Sequence, residues 1–262
     1  MDTSPTQTPS PVESLPKTAS QGLLARFFGV LMSPRETFAG IAARPRWFGI
    51  LALIILVGVI CTAAFMSTAV GRQAIIDQQD KVFDNLKSYG LTIPDAQREE
   101  SARRILEMPT WRLVIWNAVG SIVGTPIIVL ILAGLFFAVF TVFLNGQAKF
   151  KQVFAVVAHT GAVFALQQVF VTPLNYVRES VDSATNLYVL VANFVSEGSF
   201  IAKFLGMIGL FWVWWILVLA IGLAVVYRRK TTPIAVSLFA VYGVIALAWA
   251  GVAAYLAARS AS

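Results

Sequence analysis

The sequence predicts an all-α integral membrane protein, a bundle of five transmembrane helices preceded by N-terminal interfacial amphipathic helices. Three observations carry that prediction. Charged residues make up only 13% of the 262-residue chain and hydrophobic residues 58%, whereas a soluble domain carries roughly twice that share of charge. Mean hydropathy is +0.75, so the chain holds more apolar surface than a globular core could hide without a charged coat. Finally, five separate runs are apolar and long enough to cross a bilayer, which takes about 20 residues, and none contains an Asp, Glu, Lys or Arg.

Residues 1–21 hold Pro5, Pro9, Pro11 and Pro16 among Ser, Thr and Gln. That composition buries too little surface to fold and reads as a disordered cytoplasmic tail. It shows no secretory leader pattern, so the first span is expected to serve as its own insertion signal.

Residues 22–46 read as two short interfacial helices. "GLLARFFGVLM" has only 11 residues, too short to span. "SPRETFAGIAARPRW" then begins with Ser33 three residues before Glu36, the pattern of a capping box, with Pro34 at the first helical position. Phe38, Ile41 and Ala42 fall on one face. Pro45 disfavours helix at Arg44, so the helix ends there, and Trp47 follows where an aromatic belt residue would anchor.

The membrane domain is expected over 47–257, with spans at about 47–70, 113–144, 153–177, 205–227 and 234–256. The second run, at 32 residues, exceeds one untilted span, and Asn117, Ser121, Gly124, Thr125 and Pro126 predict an interfacial start with a kink or break near Pro126. The third is the most polar, with His159, Thr160, Gln167, Gln168, Thr172 and Pro173. "VYRRKTTP" joins the last two as a tight antiparallel hairpin. Between the first two spans, residues 71–112 form an extracytoplasmic insert with seven basic and seven acidic residues. Ile75, Ile76, Val82, Phe83 and Leu86 recur there at helical spacing, so two amphipathic helices are expected. A further short amphipathic helix is expected within "NLYVLVANFVSEGS".

Charge sets the expected orientation. The side of the N-terminus carries ten basic and three acidic residues, the opposite side ten of each. Long loops cross largely regardless of charge, so the short segments decide. Lys149, Lys151, Arg228, Arg229 and Lys230, with Arg35, Arg44 and Arg46, are expected to face the cytoplasm and meet anionic lipid headgroups. The net charge of +7 thereby reads as membrane topology rather than nucleic-acid binding.

Catalytic chemistry finds little to build on. His159 is the only histidine, so a two-His metal site cannot form, and neither a Gly-x-Ser-x-Gly elbow nor a phosphate-binding glycine loop occurs. No cofactor and no enzymatic activity are expected. A small transporter or channel is the alternative, with His159, Gln167, Gln168 and the break at Pro126 lining a path. Gly134, Gly161, Gly222 and Gly243 read as helix-packing contacts. Phe211, Trp212, Trp214 and Trp215 read as interface anchors or contacts for partner helices. The single cysteine, Cys61, lies in the first span and has no internal disulfide partner.

Three stretches in order also carry a family resemblance: "LMSPRETFAGIAARPRWFGILALIILVGVI", "VFLNGQAKFKQVFAVVAHTGA" and "FWVWWILVLAIGLAVVYRRKTTPIAV". A Ser-Pro helix, a proline turn and a first span, then a small-residue turn with a Phe-Lys-Gln step, then a Gly step and basic turn resemble the Yip1 domain in its bacterial branch, over about residues 25–257. The resemblance implies a five-span bundle in the bacterial cytoplasmic (inner) membrane with a cytoplasmic N-terminus. Eukaryotic members are associated with Rab GTPases and carry an Asp-Leu-Tyr-Gly-Pro motif; this chain lacks that motif, which counts against Rab binding. The expected role is non-enzymatic: a scaffold that recruits a membrane-protein partner or a second copy of itself, or organises the bilayer.

Overall fold

The computed structural model describes residues 22–88, 90–181, 185–196 and 199–260; the expected disordered tail lies outside them. Among these residues the regular secondary structure is helical, apart from one isolated antiparallel bridge between Asn186 and Gly209. The helices are α1 (Leu23–Met32), α2 (Pro34–Ala43), α3 (Phe48–Met66), α4 (Ala69–Ser88), α5 (Asp95–Glu107), α6 (Thr110–Phe137), α7 (Phe150–Thr160), α8 (Ala162–Arg178), α9 (Tyr188–Val191), α10 (Phe200–Met207), α11 (Leu210–Tyr227) and α12 (Thr231–Ser260). Five stretches are long and apolar enough to cross a membrane: α3, α6 with its extension, α7 with α8, α11, and α12. The protein is a multi-pass membrane protein.

The five spans are not equivalent. Just over half of the α7–α8 and α11 windows (56%) is buried within the protein, against 17% for α3, α6 and α12. The third and fourth spans therefore form the centre. The other three turn rows of Val, Ile, Leu and Trp outward (Ile122, Ile131, Val244 and Trp249 among them), the surface that hydrocarbon wets without cost.

The N-terminal hairpin departs most from a surface-lying helix pair. Val30, Phe38 and Ile41 are 0–1% exposed, and Phe38 and Ile41 are among the largest fully buried side chains. α2 packs on α7 and α11, while α1 packs on α2 and, more lightly, on α3, α7 and α8. Segments 22–46 and 47–257 thus share one apolar core. α2 buries Phe38 and Ile41 against the bundle, where α7 and α11 offer small residues for it to close on, whereas α1 buries Val30 and Leu31 and leaves Leu24, Phe28 and Met32 exposed. A Cβ on Gly222 would come 2.5 Å from Val156 and 3.2 Å from the Phe38 ring. The hairpin itself is equally tight, since a Cβ on Gly29 would strike the Thr37 hydroxyl at 2.4 Å.

The capping box at Ser33 does not form. Ser33 is the N-cap residue and Pro34 follows at the first position, but no side-chain cap bond is made. Ser33 has φ −135° and ψ 62°, and its carbonyl instead accepts from the Thr37 hydroxyl at 3.0 Å and the Thr37 N–H at 3.2 Å. A glutamine does this work at α7, where the Lys149 N–H donates to Gln152 Oε1 at 2.9 Å.

The spans also differ from expectation in their ends and irregularities. α6 runs through Pro126 without a break; the long second run is relieved at Ala138–Phe143, where the backbone widens to a π-helix. Its turn is anchored by stacking of Phe140 on Tyr227, 5.2 Å between centroids, and by a 2.9 Å hydrogen bond between Thr141 Oγ1 and the Tyr227 hydroxyl. π-turns of this kind appear as local bulges in otherwise regular helices. The third span bends at Gly161, where a Cβ would meet Ile54 at 2.9 Å. The fourth starts at Leu210, with 205–207 belonging to α10. The helix expected in "NLYVLVANFVSEGS" shrinks to the single turn of α9; residues 197–198 within that stretch lie outside the described ones.

Between the first two spans lie α4, which begins at Ala69, and α5. α4 packs on α3, α8 and α12, and α5 packs chiefly on α4. Ala74 and Ile76 are buried while Val82 is exposed, so only the first half of α4 sits on the bundle. Arg72 holds the end of α5 to the start of α6, donating to the carbonyls of Leu106 and Met108 at 2.9 Å and to Thr110 Oγ1 at 2.5 Å. Farther out, Arg98 pairs with Asp84 at 2.8 Å.

Candidate functional site

Chain direction places the start of α3, the α6–α7 turn and the α11–α12 turn at one end of the bundle. The insert and α10 lie at the other. Two bonds knit the first end together. Gln152 Nε2 donates to the Ala42 carbonyl at 2.9 Å, joining the end of α2 to the start of α7. Arg229 Nη2 donates to the Leu144 carbonyl at 2.6 Å, joining the α11–α12 turn to the end of the second span.

The α11–α12 turn is shaped by its backbone. Arg228 is left-handed, with φ 52°, and the Arg229 and Arg228 N–H groups donate to Ala224 and Val225. That is a Schellman closure, usually given to glycine. It turns Arg228 outward at the last step of the span, leaves Arg229 to anchor Leu144, and starts α12 at once with Thr231.

Around this turn lies an open cavity of about 720 Å³, lined by Arg35 and Ala39 of α2, Ala224 and Val225 of α11, and Arg228 through Thr232. A neighbouring cavity of about 700 Å³ shares Ala39, Val225, Arg228 and Arg229 and extends to Asn145, Gln147 and Gln152. Of the expected cationic residues, the structure therefore brings Arg35, Arg228, Arg229 and Lys230 to one place. Arg44 follows α2 two residues after Ala42, and Lys149 and Lys151 flank the start of α7 beside Gln152; none of the three lines either cavity. Arg46 contributes its carbonyl, which accepts from Arg26 Nη1 at 3.0 Å.

Sequence reading missed Arg26. Burial, and then the positive field of Arg46, lower its guanidinium pKa from the ordinary value. Its position inside "GLLARFF" marks it as the one charge in an apolar helix, the signal that could have found it.

The polar residues of the third span are not gathered. His159 is 0% exposed, and its Nδ1–H donates to the Ala155 carbonyl at 2.7 Å. Thr160 is likewise buried, donating to Val157 and accepting from Trp215 Nε1 at 3.0 Å. Gln167 is half-buried and Gln168 exposed, two turns farther along α8. Pro126 sits within α6. Within the aromatic group Phe164 contacts Trp212 and Trp215 at 5.0 and 5.6 Å, joining α8 to α11, while Trp212 remains exposed. Among the small residues, Gly161 and Gly222 are packing contacts, whereas a Cβ on Gly134 or Gly243 would meet no neighbouring helix within 4 Å. No group of three or more metal-ligating side chains occurs among the described residues.

Compared with known protein families, the chain matches the Yip1 domain over residues 28–260. No curated protein and no solved structure matches it. The match begins within α1 and ends within α12, so it takes in the buried hairpin as well as all five spans. The chain belongs to the Yip1 domain family.

Proposed function

We propose that this protein is a non-enzymatic membrane scaffold of the bacterial cytoplasmic membrane, with its N-terminus and the α2, α6–α7 and α11–α12 turns facing the cytoplasm. The supporting observation is the seating of the hairpin. α1 and α2 are fixed in the core by Val30, Phe38 and Ile41, so the cationic side chains at this end stand on a rigid base instead of a floating surface helix. The described residues there include nine Lys or Arg against the single acid Glu36. A rigid, one-signed face suits recognition of an acidic partner, since charge complementarity steers encounter and orients the complex.

The α2–α7 junction, with Arg44, Lys149 and Lys151, is the surface proposed to receive that partner. All three side chains are exposed, so reversing their charge leaves the core intact. Cross-linked complexes captured from native membranes are expected to lose at least one partner when Arg44, Lys149 and Lys151 are all changed to Glu, while insertion is unchanged. An identical set of partners for the inserted variant would sink the proposal. Deleting 22–46 is the wrong test, because it removes core side chains along with the surface.

A further inference from the structure

We propose that the cavity between α2 and the α11–α12 turn is a seat for the phosphate of an anionic phospholipid. Arg35, Arg228, Arg229 and Lys230 line it, with the hydroxyl residues Thr231 and Thr232 and a wall of Ala39, Ala224 and Val225. No acidic residue lines it. Among the described residues none of the four cations forms an ion pair, and only Arg229 is committed, to the Leu144 carbonyl. Four like charges around one concavity repel one another, an arrangement that an anion relieves.

Topology alone does not account for the cavity. Orientation in the membrane needs basic residues somewhere in the short loops, not an arginine from α2 converging on a turn almost two hundred residues later. The convergence depends on the buried hairpin, which holds Arg35 in place through Phe38 one turn on.

Depth and shape select the ligand. Ala224 and Val225 belong to the last turn of a spanning helix, so the cavity opens at headgroup level. α12 begins at Thr231, and the first N–H groups of a helix lack intrahelical partners and favour an anion. Together with two guanidinium forks, which match phosphate oxygens, they suit a phosphodiester or phosphomonoester tethered to acyl chains. The neighbouring cavity leaves room for the rest of a headgroup. The seat shares its end of the bundle with the proposed partner surface but uses different side chains, and lipid retention is measured without any partner, so the two proposals fail separately.

The test uses the full chain in nanodiscs of phosphatidylcholine containing phosphatidylglycerol or cardiolipin, released into native mass spectrometry. The wild type is expected to keep one anionic lipid. Combined Arg35→Gln, Arg228→Gln and Lys230→Gln should weaken retention on the order of a hundredfold, from about 1 kcal/mol for each basic group near the surface. Arg44→Gln with Lys149→Gln and Lys151→Gln removes the same charge outside the cavity and should retain the lipid. Ala39→Trp keeps every charge, fills the cavity and should lose the lipid. Equal loss in both triple variants would reduce the effect to diffuse attraction and overturn the seat. So would retention by the cavity variants, or displacement of the lipid by millimolar glycerol phosphate or inorganic phosphate, which would mark a soluble ligand.

Discussion

At the scale of single residues, polar groups inside the bundle are used for packing. His159 bonds only the carbonyl four residues back in its own helix, and its Nε2 is buried without a partner. Replacing a buried polar group that lacks a partner by an apolar one of similar size is close to neutral or stabilising. His159→Leu is therefore expected to insert, to unfold within about 1 kcal/mol of the wild type, and to leave function intact. Loss of function with normal folding would revive a polar path along the third span. Gly222 is the opposite case. With a virtual Cβ 2.5 Å from Val156, Gly222→Leu overpacks the α2–α7–α11 junction and should cost about 1–3 kcal/mol or more, read from thermal unfolding in detergent. Outside the membrane, Arg104 and Arg103 bond Glu100 and hold its carboxyl below the usual glutamate value. A depressed acid contributes its stability above its unfolded pKa and loses it as pH falls through the folded value. The helicity of α5 should accordingly weaken on acidification in the wild type and weaken less over that window in Glu100→Gln, read by hydrogen exchange at 95–107.

At the scale of elements, periodicity located the helices and local chemistry located the turns, while the ends and breaks depended on partners distant in sequence. "VYRRKTTP" declared its hairpin because two long apolar runs were separated by so few residues. Pro126 suggested a kink or a break, and α6 continues through it without a break. The irregular turn comes at Ala138–Phe143, where Tyr227, from a helix some eighty residues later, supplies both a ring and a hydroxyl. No local pattern could announce that. The same holds for Ser33 and Glu36, whose spacing fits a capping box while Thr37 takes the Ser33 carbonyl. Tyr227→Leu removes the stacking partner and the bond, and should loosen the α6–α7 turn. Faster hydrogen exchange at 140–147 with unchanged exchange in α3 is the expected reading, since local stability tracks local contacts.

At the scale of the whole molecule, five spans and a one-sided charge were legible because lipid imposes length and hydropathy on every spanning helix. The two-tier arrangement, with α7–α8 and α11 central and three spans outside, was less so, because outward-facing and core-facing apolar residues look alike in sequence. The gathering of Arg35 with Arg228–Lys230 was not legible at all. It follows from the docking of the hairpin. Orientation is checked with Lys230→Cys and Glu99→Cys in a Cys61→Ser background. In intact cells an impermeant maleimide should label the Glu99 position and spare the Lys230 position until the membrane is opened; the reverse pattern would place the basic end outside.

The seating of the hairpin underlies both the rigid basic face and the lipid cavity, and it is tested by side-chain accessibility on α2. In the same cysteine-free background, Ile41→Cys and Ala39→Cys are treated with a water-soluble maleimide in native membranes made permeable to it. With Ile41 in the core and Ala39 facing the cavity, the Ala39 position should react readily and the Ile41 position only after denaturation. Comparable reactivity at both positions in the native membrane would mean that α2 lies loosely at the surface and would contradict the fold's central feature.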